Sequence, residues 1–370
     1  MRKILFTLKD IAINQACDSR RDVFQLLGAL SVGKIIVFLY TFAYNFSPDF
    51  LNKMSTRWDT SIYQTIATQG YTQISQYAFS PVYPTLIKGL NFLIPSAWVS
   101  ALIITNIISF IFPIILYKTF GFKTAFLAVL FPTYLVYTTI PYSDVIVLVF
   151  LAFSIFFLLR EKIIASSLTI SMAIVSAFHV AWVLPSFVLS ILKKKRIKNL
   201  VFWIVPFAAG VIILLWFKLR TGDFFKYFSL EKNVWSVRFG TPLTQVKWLL
   251  SGHFTSEFST LLGVPLTPMY WLIRNLLFEA FYLLGAVCLL FTENKQRVFL
   301  FSYCVLSVVP LLFVTGMPAI SIPRLLLPAF PIFFGYTTLI KKDWHYFIYL
   351  AACFLVTAWV SISQTYSFFA

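Results

Sequence analysis

Apolar length limits this chain more than any other property. Residues 163–192 hold about 30 positions without one Asp, Glu, Lys or Arg, and comparable stretches recur along the chain. Each approaches or exceeds the roughly 18–20 residues that carry a helix across a bilayer. Hydrocarbon offers no partner to a backbone N–H or C=O, so such runs must bond internally, as helices or as a closed barrel. The weak ten-residue alternation of a membrane barrel is absent. Charged residues make up 12% of the chain, about half the soluble norm. The expected fold class is therefore an all-α polytopic membrane protein. About 11 transmembrane helices are expected, with a large first extracytoplasmic loop bearing interfacial helices.

The spans fall near residues 23–44, 98–117, 124–140, 145–159, 200–219, 269–291, 298–315, 325–340 and 346–365. The 163–192 run splits into two short helices that meet near His179, ahead of Pro185. Residues 1–22 form a short segment on the inner membrane surface. Lys34 lies inside the first span, packed or snorkelling. The organisation is a catalytic transmembrane module over residues 1–220, containing the first outer loop at 45–95. An extracytoplasmic loop follows over 221–268, then C-terminal helices over 269–370.

A formal charge of +17 would suggest nucleic acid in a soluble protein. Here the bases cluster at helix ends, at Lys118 and Lys123, Arg160 and Lys162, Lys193 to Arg196 with Lys198, Lys295 and Arg297, and Lys341 and Lys342. With the N-terminus inside, all of these face the cytoplasm, as basic loops do. Nucleic acid is excluded as a partner because no basic face exists away from those ends. The protein is expected to be a multi-pass membrane protein with its active site extracytoplasmic or lumenal.

Thr56-Arg57-Trp58-Asp59-Thr60-Ser61-Ile62-Tyr63, continuing to Gly70-Tyr71, is a polar island in this hydrocarbon. Trp58, Ile62 and Ile66 recur every fourth residue, flanked by Tyr63 and Ala67, and suggest one apolar stripe on an interfacial helix that Gly70 ends. Thr56-x-x-Asp59 has capping-box spacing, so Asp59 is either a cap at N3 or a catalytic carboxylate. Asp144, after Pro141-Tyr142-Ser143, is either the first-turn acid of a helix or a second carboxylate at the site. His179 is either a packed histidine or a phosphate contact. Arg324, after Ile322-Pro323, is either an interfacial arginine or a fork for a lipid phosphate. The 221–268 loop offers Trp235, Arg238, Gln245, Lys247 and Trp248 for sugar contact. Asp49, Asp223, Glu231, Glu257 and Glu279 are the other acids that reach the outer side.

Several chemistries drop out. No two acids are spaced Asp-x-Asp, and no Gly-x-Gly-x-x-Gly or P-loop is present. Cys17, Cys288, Cys304 and Cys353 lack metal-site spacing and read as packing residues. A nucleotide-using cytoplasmic enzyme is not expected. No cofactor is expected, and a divalent metal stays open.

Arg57-Trp58-Asp59, then Ile66-Ala67, Gly70-Tyr71 and Ala78-Phe79-Ser80-Pro81-Val82-Tyr83-Pro84, resembles the GPI mannosyltransferase II (PIG-V) family. Ser80 stands where the family often has a second Phe. Pro141-Tyr142-Ser143-Asp144 looks like that family's next motif. The resemblance implies the type-C glycosyltransferase (GT-C) fold and a polyprenyl- or dolichyl-phosphate sugar donor, with mannose foremost. It also implies transfer with inversion to a glycan, glycolipid or protein acceptor, within membrane lipids. Asp59 would be the general base, with Arg57, Trp58, Tyr83, Tyr142, Asp144, His179, Arg238 and Arg324 contacting substrate. His179 falls where relatives often place an arginine. The chain is shorter than eukaryotic members, which points to a prokaryotic acceptor. Two rivals stand beside this reading: a flippase or transporter for polyprenyl-linked sugars, and a non-catalytic membrane subunit.

Overall fold

The computed structural model describes the backbone of residues 2–45, 49–193, 197–251, 260–261, 264–265 and 268–366. Lys194 to Arg196 and Glu257 lie outside the described residues, as does the side chain of Cys17. The described chain is helical almost throughout, as its apolar runs require. Among the described residues five helices are long and apolar enough to cross a membrane: Arg20–Ala43, Ala97–Phe120, Lys198–Thr221, Pro268–Leu289 and Asp343–Ser361. Four shorter apolar helices accompany them.

The first helix, α1 (Arg2–Asn45), is continuous. The expected division between a surface segment and a span near residue 22 is not there, because no Gly or Pro occurs before Gly28 to break the helix. Next come α2 (Phe50–Ser55), α3 (Asp59–Gln69), a 3-10 turn at Ile74–Ala78, and α4 (Val82–Asn91). The near-continuous pair α5 (Ala97–Ser109) and α6 (Ile111–Phe120) leads into α7 (Phe122–Val129) and α8 (Pro132–Thr139). The expected 124–140 span is thus two helices. Pro132 donates no N–H and holds Phe131 extended, so the helix must restart there.

After α8 come α9 (Asp144–Leu159) and α10 (Ile163–Ser176), then a 3-10 turn at Phe178–Val183 that leads into α11 (Leu184–Lys193). The break at His179 is where the sequence suggested it. A turn at Ile197–Trp203 opens α12 (Ile204–Thr221), and α13 (Lys226–Asn233), β1 (Arg238–Phe239) and α14 (Pro242–Leu250) follow. The small pair β2 (Thr260–Leu261) and β3 (Val264–Pro265) precedes α15 (Pro268–Leu289) and α16 (Arg297–Val308). The chain ends with β4 (Val314–Thr315), α17 (Met317–Ile320), α18 (Ile322–Leu325), α19 (Ile332–Tyr336) and α20 (Asp343–Tyr366). The expected 325–340 helix is broken into short pieces because Pro328 and Pro331 interrupt it. Irregular backbone survives there because Leu326, Ala329, Phe330 and Ile332 are buried in protein.

One large apolar cluster joins these helices. Phe131 stacks on Phe281 at 5.1 Å, filling the break between α7 and α8 with an aromatic from α15. α15 and α19 meet through glycines. A Cβ on Gly335 would stand 2.3 Å from the Gly285 carbonyl oxygen, so these backbones touch only because neither carries a side chain. Lys34 is buried, as its position inside α1 implied. Its Nζ donates to Asn106 Oδ1 at 2.8 Å and to the Thr138 carbonyl, which ties α1 to α5 and α8.

One pairing sets up the site. β1 and β4 run antiparallel, with Arg238 opposite Thr315 and Phe239 opposite Val314. Around them Gly240 N–H donates to Phe313 O (2.8 Å) and Met317 N–H to Trp235 O (3.1 Å). Gln245 Nε2 donates to Leu311 O (2.8 Å) and Val314 O (2.9 Å). Gly316 is required here: its φ is +90°, and a Cβ would lie 2.1 Å from Ser236 O. The 226–250 stretch is thereby latched to the segment that carries Arg324.

Candidate active site

Asp59 is the first residue of α3, not the third. The capping-box expectation is corrected accordingly. Thr56 closes α2 instead, its Oγ1 donating to Asn52 O at 2.8 Å, and the N-cap of α3 is Trp58, which makes no side-chain cap. Trp58 sits at φ +53° and ψ −135°. Such a conformation costs on the order of 1–3 kcal/mol for a residue with a Cβ and persists only where surroundings enforce it. The enforcement is visible: Trp58 packs on the cluster of Leu249, Trp271, Leu272, Ala319 and Ile320. The buried face of α3 also differs in part from the expected stripe. Thr60, Tyr63, Ile66 and Ala67 face inward, and Ile62 does not. Tyr63 sets this rotation by packing edge-on to Phe79 and Tyr83 and bonding Ser143 Oγ at 2.7 Å.

With Asp59 free of capping, its carboxylate turns to Arg324. Arg324 Nη1 donates to Asp59 Oδ2 at 2.7 Å, and Arg324 Nε lies 3.9 Å from Asp144 Oδ1. The guanidinium rests 4.9 Å from the centre of the Tyr142 ring, a cation–π contact. Nε is buried and makes no hydrogen bond. An unsatisfied buried donor costs about 1–3 kcal/mol, so it marks a place where an acceptor would bind favourably.

Arg324 is held from below. α17 and α18 are short turns with weak intrinsic stability, and α15 fixes them. Arg274 Nη2 donates to Ile320 O and Asn275 Nδ2 to Ala319 O, both at 2.6 Å. Arg274 is 2% exposed and lies over the Trp271 ring at 4.5 Å. Neither Arg274 nor Asn275 stood out in the sequence, where both sit inside an apolar helix. An arginine–asparagine pair within a span, where polar groups are costly, is the signal that could have found them.

The other expected residues divide. Asp144 begins α9, a first-turn acid as expected, and it faces the same guanidinium as Asp59. Tyr142 is fully buried beneath Arg324 and packs on Tyr137 at 5.2 Å. His179 is half-buried in the turn before α11 and within electrostatic reach of Arg324. Tyr83 is 1% exposed, and its hydroxyl bonds Thr105 Oγ1 (2.6 Å) and Ala101 O (3.1 Å), so it braces α4 against α5. Arg57 supplies its carbonyl to Thr60 N–H at 3.1 Å. Arg238 is exposed on β1, and no described contact joins it to Asp59. Gln245 is spent on the latch, Trp248 joins the Trp58 cluster, and Trp235 lines a cleft beside α3.

Glu231, one of the outer acids, has a place the sequence did not disclose. It lies on α13, one turn after Tyr227 and within reach of that residue's hydroxyl. Burial pushes its carboxyl up to about 7, Tyr227 opposes the rise, and the nearby Asp59 charge adds to it. The sign for stability follows. A carboxyl raised from 4.5 to about 7 on folding resists ionisation, so it weakens the fold as pH climbs through that window, and fully above it. Glu231→Gln keeps an acceptor for Tyr227 and removes the penalty. Its melting temperature in detergent should match the parent near pH 4 and exceed it by on the order of a few degrees above pH 7. Equal melting points at pH 8 would contradict the assignment.

The assembled site thus gathers two carboxylates and one arginine at the start of α3, with Glu231 within electrostatic reach of Asp59. The arginine stands between Asp59 and Asp144. Among the described residues no group of three His, Cys, Asp or Glu side chains is placed to hold a metal. Chemically the cluster offers a carboxylate that can accept a proton and a partly buried cation with one N–H that makes no hydrogen bond. No protein-family model, curated protein or solved structure matches this chain.

Proposed function

We propose that the chain is an integral membrane glycosyltransferase that uses a polyprenyl-phosphate sugar, with mannose foremost, at the extracytoplasmic face. The observation that carries this reading is the partly buried Arg324, paired at 2.7 Å with Asp59 and left with a buried Nε–H that makes no hydrogen bond. A lipid phosphate supplies the acceptor that Nε lacks and competes with Asp59 for the same guanidinium. Donor binding then loosens the ion pair and frees the Asp59 carboxylate. The acceptor O–H attacks the anomeric carbon, and its proton passes to Asp59. The C1–O bond to phosphate breaks, its electron pair leaves with the polyprenyl phosphate, and Arg324 stabilises the growing charge. Attack opposite the departing phosphate inverts the anomeric centre. Asp144 keeps the arginine in place while Asp59 works.

The test is transfer by the purified protein in detergent, offered several polyprenyl-phosphate sugars and a membrane lipid extract as acceptor. Sugar should appear in a new glycoconjugate, with polyprenyl phosphate released in equal amount. The tight ion pair favours one rival, in which Asp59 and Arg324 are a clasp inside a non-catalytic subunit. Absence of both transfer and donor hydrolysis with every donor would decide for it. A flippase would also give no product in detergent, but would move lipid in sealed vesicles.

A further inference from the structure

A cleft of about 270 Å³ opens along the side of α3, between that helix, the 3-10 turn at Ile74–Ala78 and the Trp235 segment. No charged residue lines it, although it begins one helical turn from the Asp59 carboxylate. Ile62 in its wall follows Asp59 by three positions on α3, a spacing that makes helix neighbours, and Trp235 enters the wall just past the end of α13. The hydroxyls in the wall have a defined polarity. Ser61 Oγ donates to Trp58 O at 2.8 Å and Thr65 Oγ1 to Ser61 O at 2.9 Å, so both present lone pairs to the cleft. Gln76 Oε1 accepts from Thr72 N (2.8 Å) and Gln73 N (3.1 Å), which leaves its amide N–H to donate. Trp235 meets Phe79 edge to face at 5.8 Å, an arrangement that keeps a broad aromatic surface uncovered.

A ligand suited to these walls must donate hydrogen bonds to Ser61 and Thr65. A phosphate or carboxylate, which only accepts, would meet lone pairs there. It must also offer an apolar face to Trp235 and carry no charge to match. A sugar ring has this pattern, with hydroxyls at its rim and C–H groups on its face. We propose that this cleft is the acceptor subsite and that it takes the neutral hexose terminus of the acceptor. The inference rests on the transferase reading given above and adds the acceptor's chemical class. Ring stacking on Trp235 turns the acceptor hydroxyl toward the Asp59 end of the cleft.

The experiment has a binding arm and a kinetic arm, both on the full chain in detergent. In the first, saturation-transfer NMR measures binding of neutral methyl hexosides and of a methyl hexuronide. Neutral hexosides should bind at least about tenfold more tightly than the hexuronide. Trp235→Ala should weaken them by roughly tenfold, and Trp235→Phe, which keeps a ring against Phe79, should recover part of that loss. In the second arm, Trp235→Ala should raise the acceptor KM by a similar factor and leave the donor KM and the rate of donor hydrolysis unchanged. Preference for the hexuronide, absence of hexoside binding, or parental acceptor affinity in folded Trp235→Ala would overturn the proposal. If Trp235→Ala fails to fold, the Phe variant and Ser61→Ala decide it, since each should weaken hexoside binding by at least about threefold. Hexoside binding that depends on Trp235 in a protein inert toward every donor would keep the cleft and discard the transferase. Transfer that ignores Trp235 would do the reverse.

Discussion

In Asp59→Asn, sugar transfer falls by about a hundred- to ten-thousand-fold, the range over which a positioned general base acts. The substitution is close to isosteric. The amide oxygen still accepts from Arg324 Nη1, which now donates at 2.7 Å to the carboxylate. Charge and basicity are lost while the contact remains, so the protein should insert, purify and melt close to the parent. Donor binding should hold or tighten, because a neutral amide competes less strongly than a carboxylate for the guanidinium. A radiolabelled-donor assay measures both quantities. Parental turnover would remove Asp59 from the mechanism, and a collapse of stability with no parental activity would leave it as a clasp.

Arg324→Gln should be at least as damaging, and for two separable reasons. It strips the stabilising charge from the leaving phosphate, an effect worth on the order of a hundred- to a thousand-fold in rate. It also leaves Asp59 and Asp144 facing each other with no cation between them. Breaking a largely buried pair costs on the order of 3 kcal/mol, and both carboxylates here are no more than about a fifth exposed. Arg324→Lys separates the two. It restores a positive charge and with it part of the melting temperature, but it offers no fork to hold Asp59 and a phosphate oxygen together, so the rate stays low. Recovery of full turnover in the lysine variant would show that the fork is not needed. The double variant Asp59→Asn with Arg324→Gln should lose less than the two single losses combined, since the residues act as one unit.

The chain showed its class at once, because lipid leaves so few choices to an apolar run. Its local chemistry was partly visible as well. Asp59, Asp144 and Arg324 were each noticeable as charged groups beside proline or aromatic residues in a sequence poor in charge. Their association was not visible: Asp59 and Arg324 are 265 positions apart, and no local pattern encodes a contact at that separation. Glu231 was hidden in part for the same reason, since Tyr227 is only four positions away but Asp59 is far along the chain. What sets it apart is burial against Tyr227 and the nearness of Asp59, both of which exist only after folding. The face of α3 was legible in part: Tyr63, Ile66 and Ala67 are buried as the expected stripe had them, whereas Trp58 is a strained cap outside the helix and Ile62 is only half-buried. The helix breaks at Pro132 and at Pro328 and Pro331 were written in the chain. The 124–140 and 325–340 stretches nonetheless each read as one rod, unlike the 163–192 run.

The strand pair β1–β4 leaves a mark on how such a protein can diversify. Trp235 and Arg324 hang from the same short ladder, joined through the Trp235 carbonyl and the Met317 amide. Changes to the backbone of residues 235–240, unlike a change of side chain alone, would therefore be felt in the segment that carries Arg324. Under the transferase proposal, the grip on the acceptor and the grip on the leaving phosphate would then be tuned together.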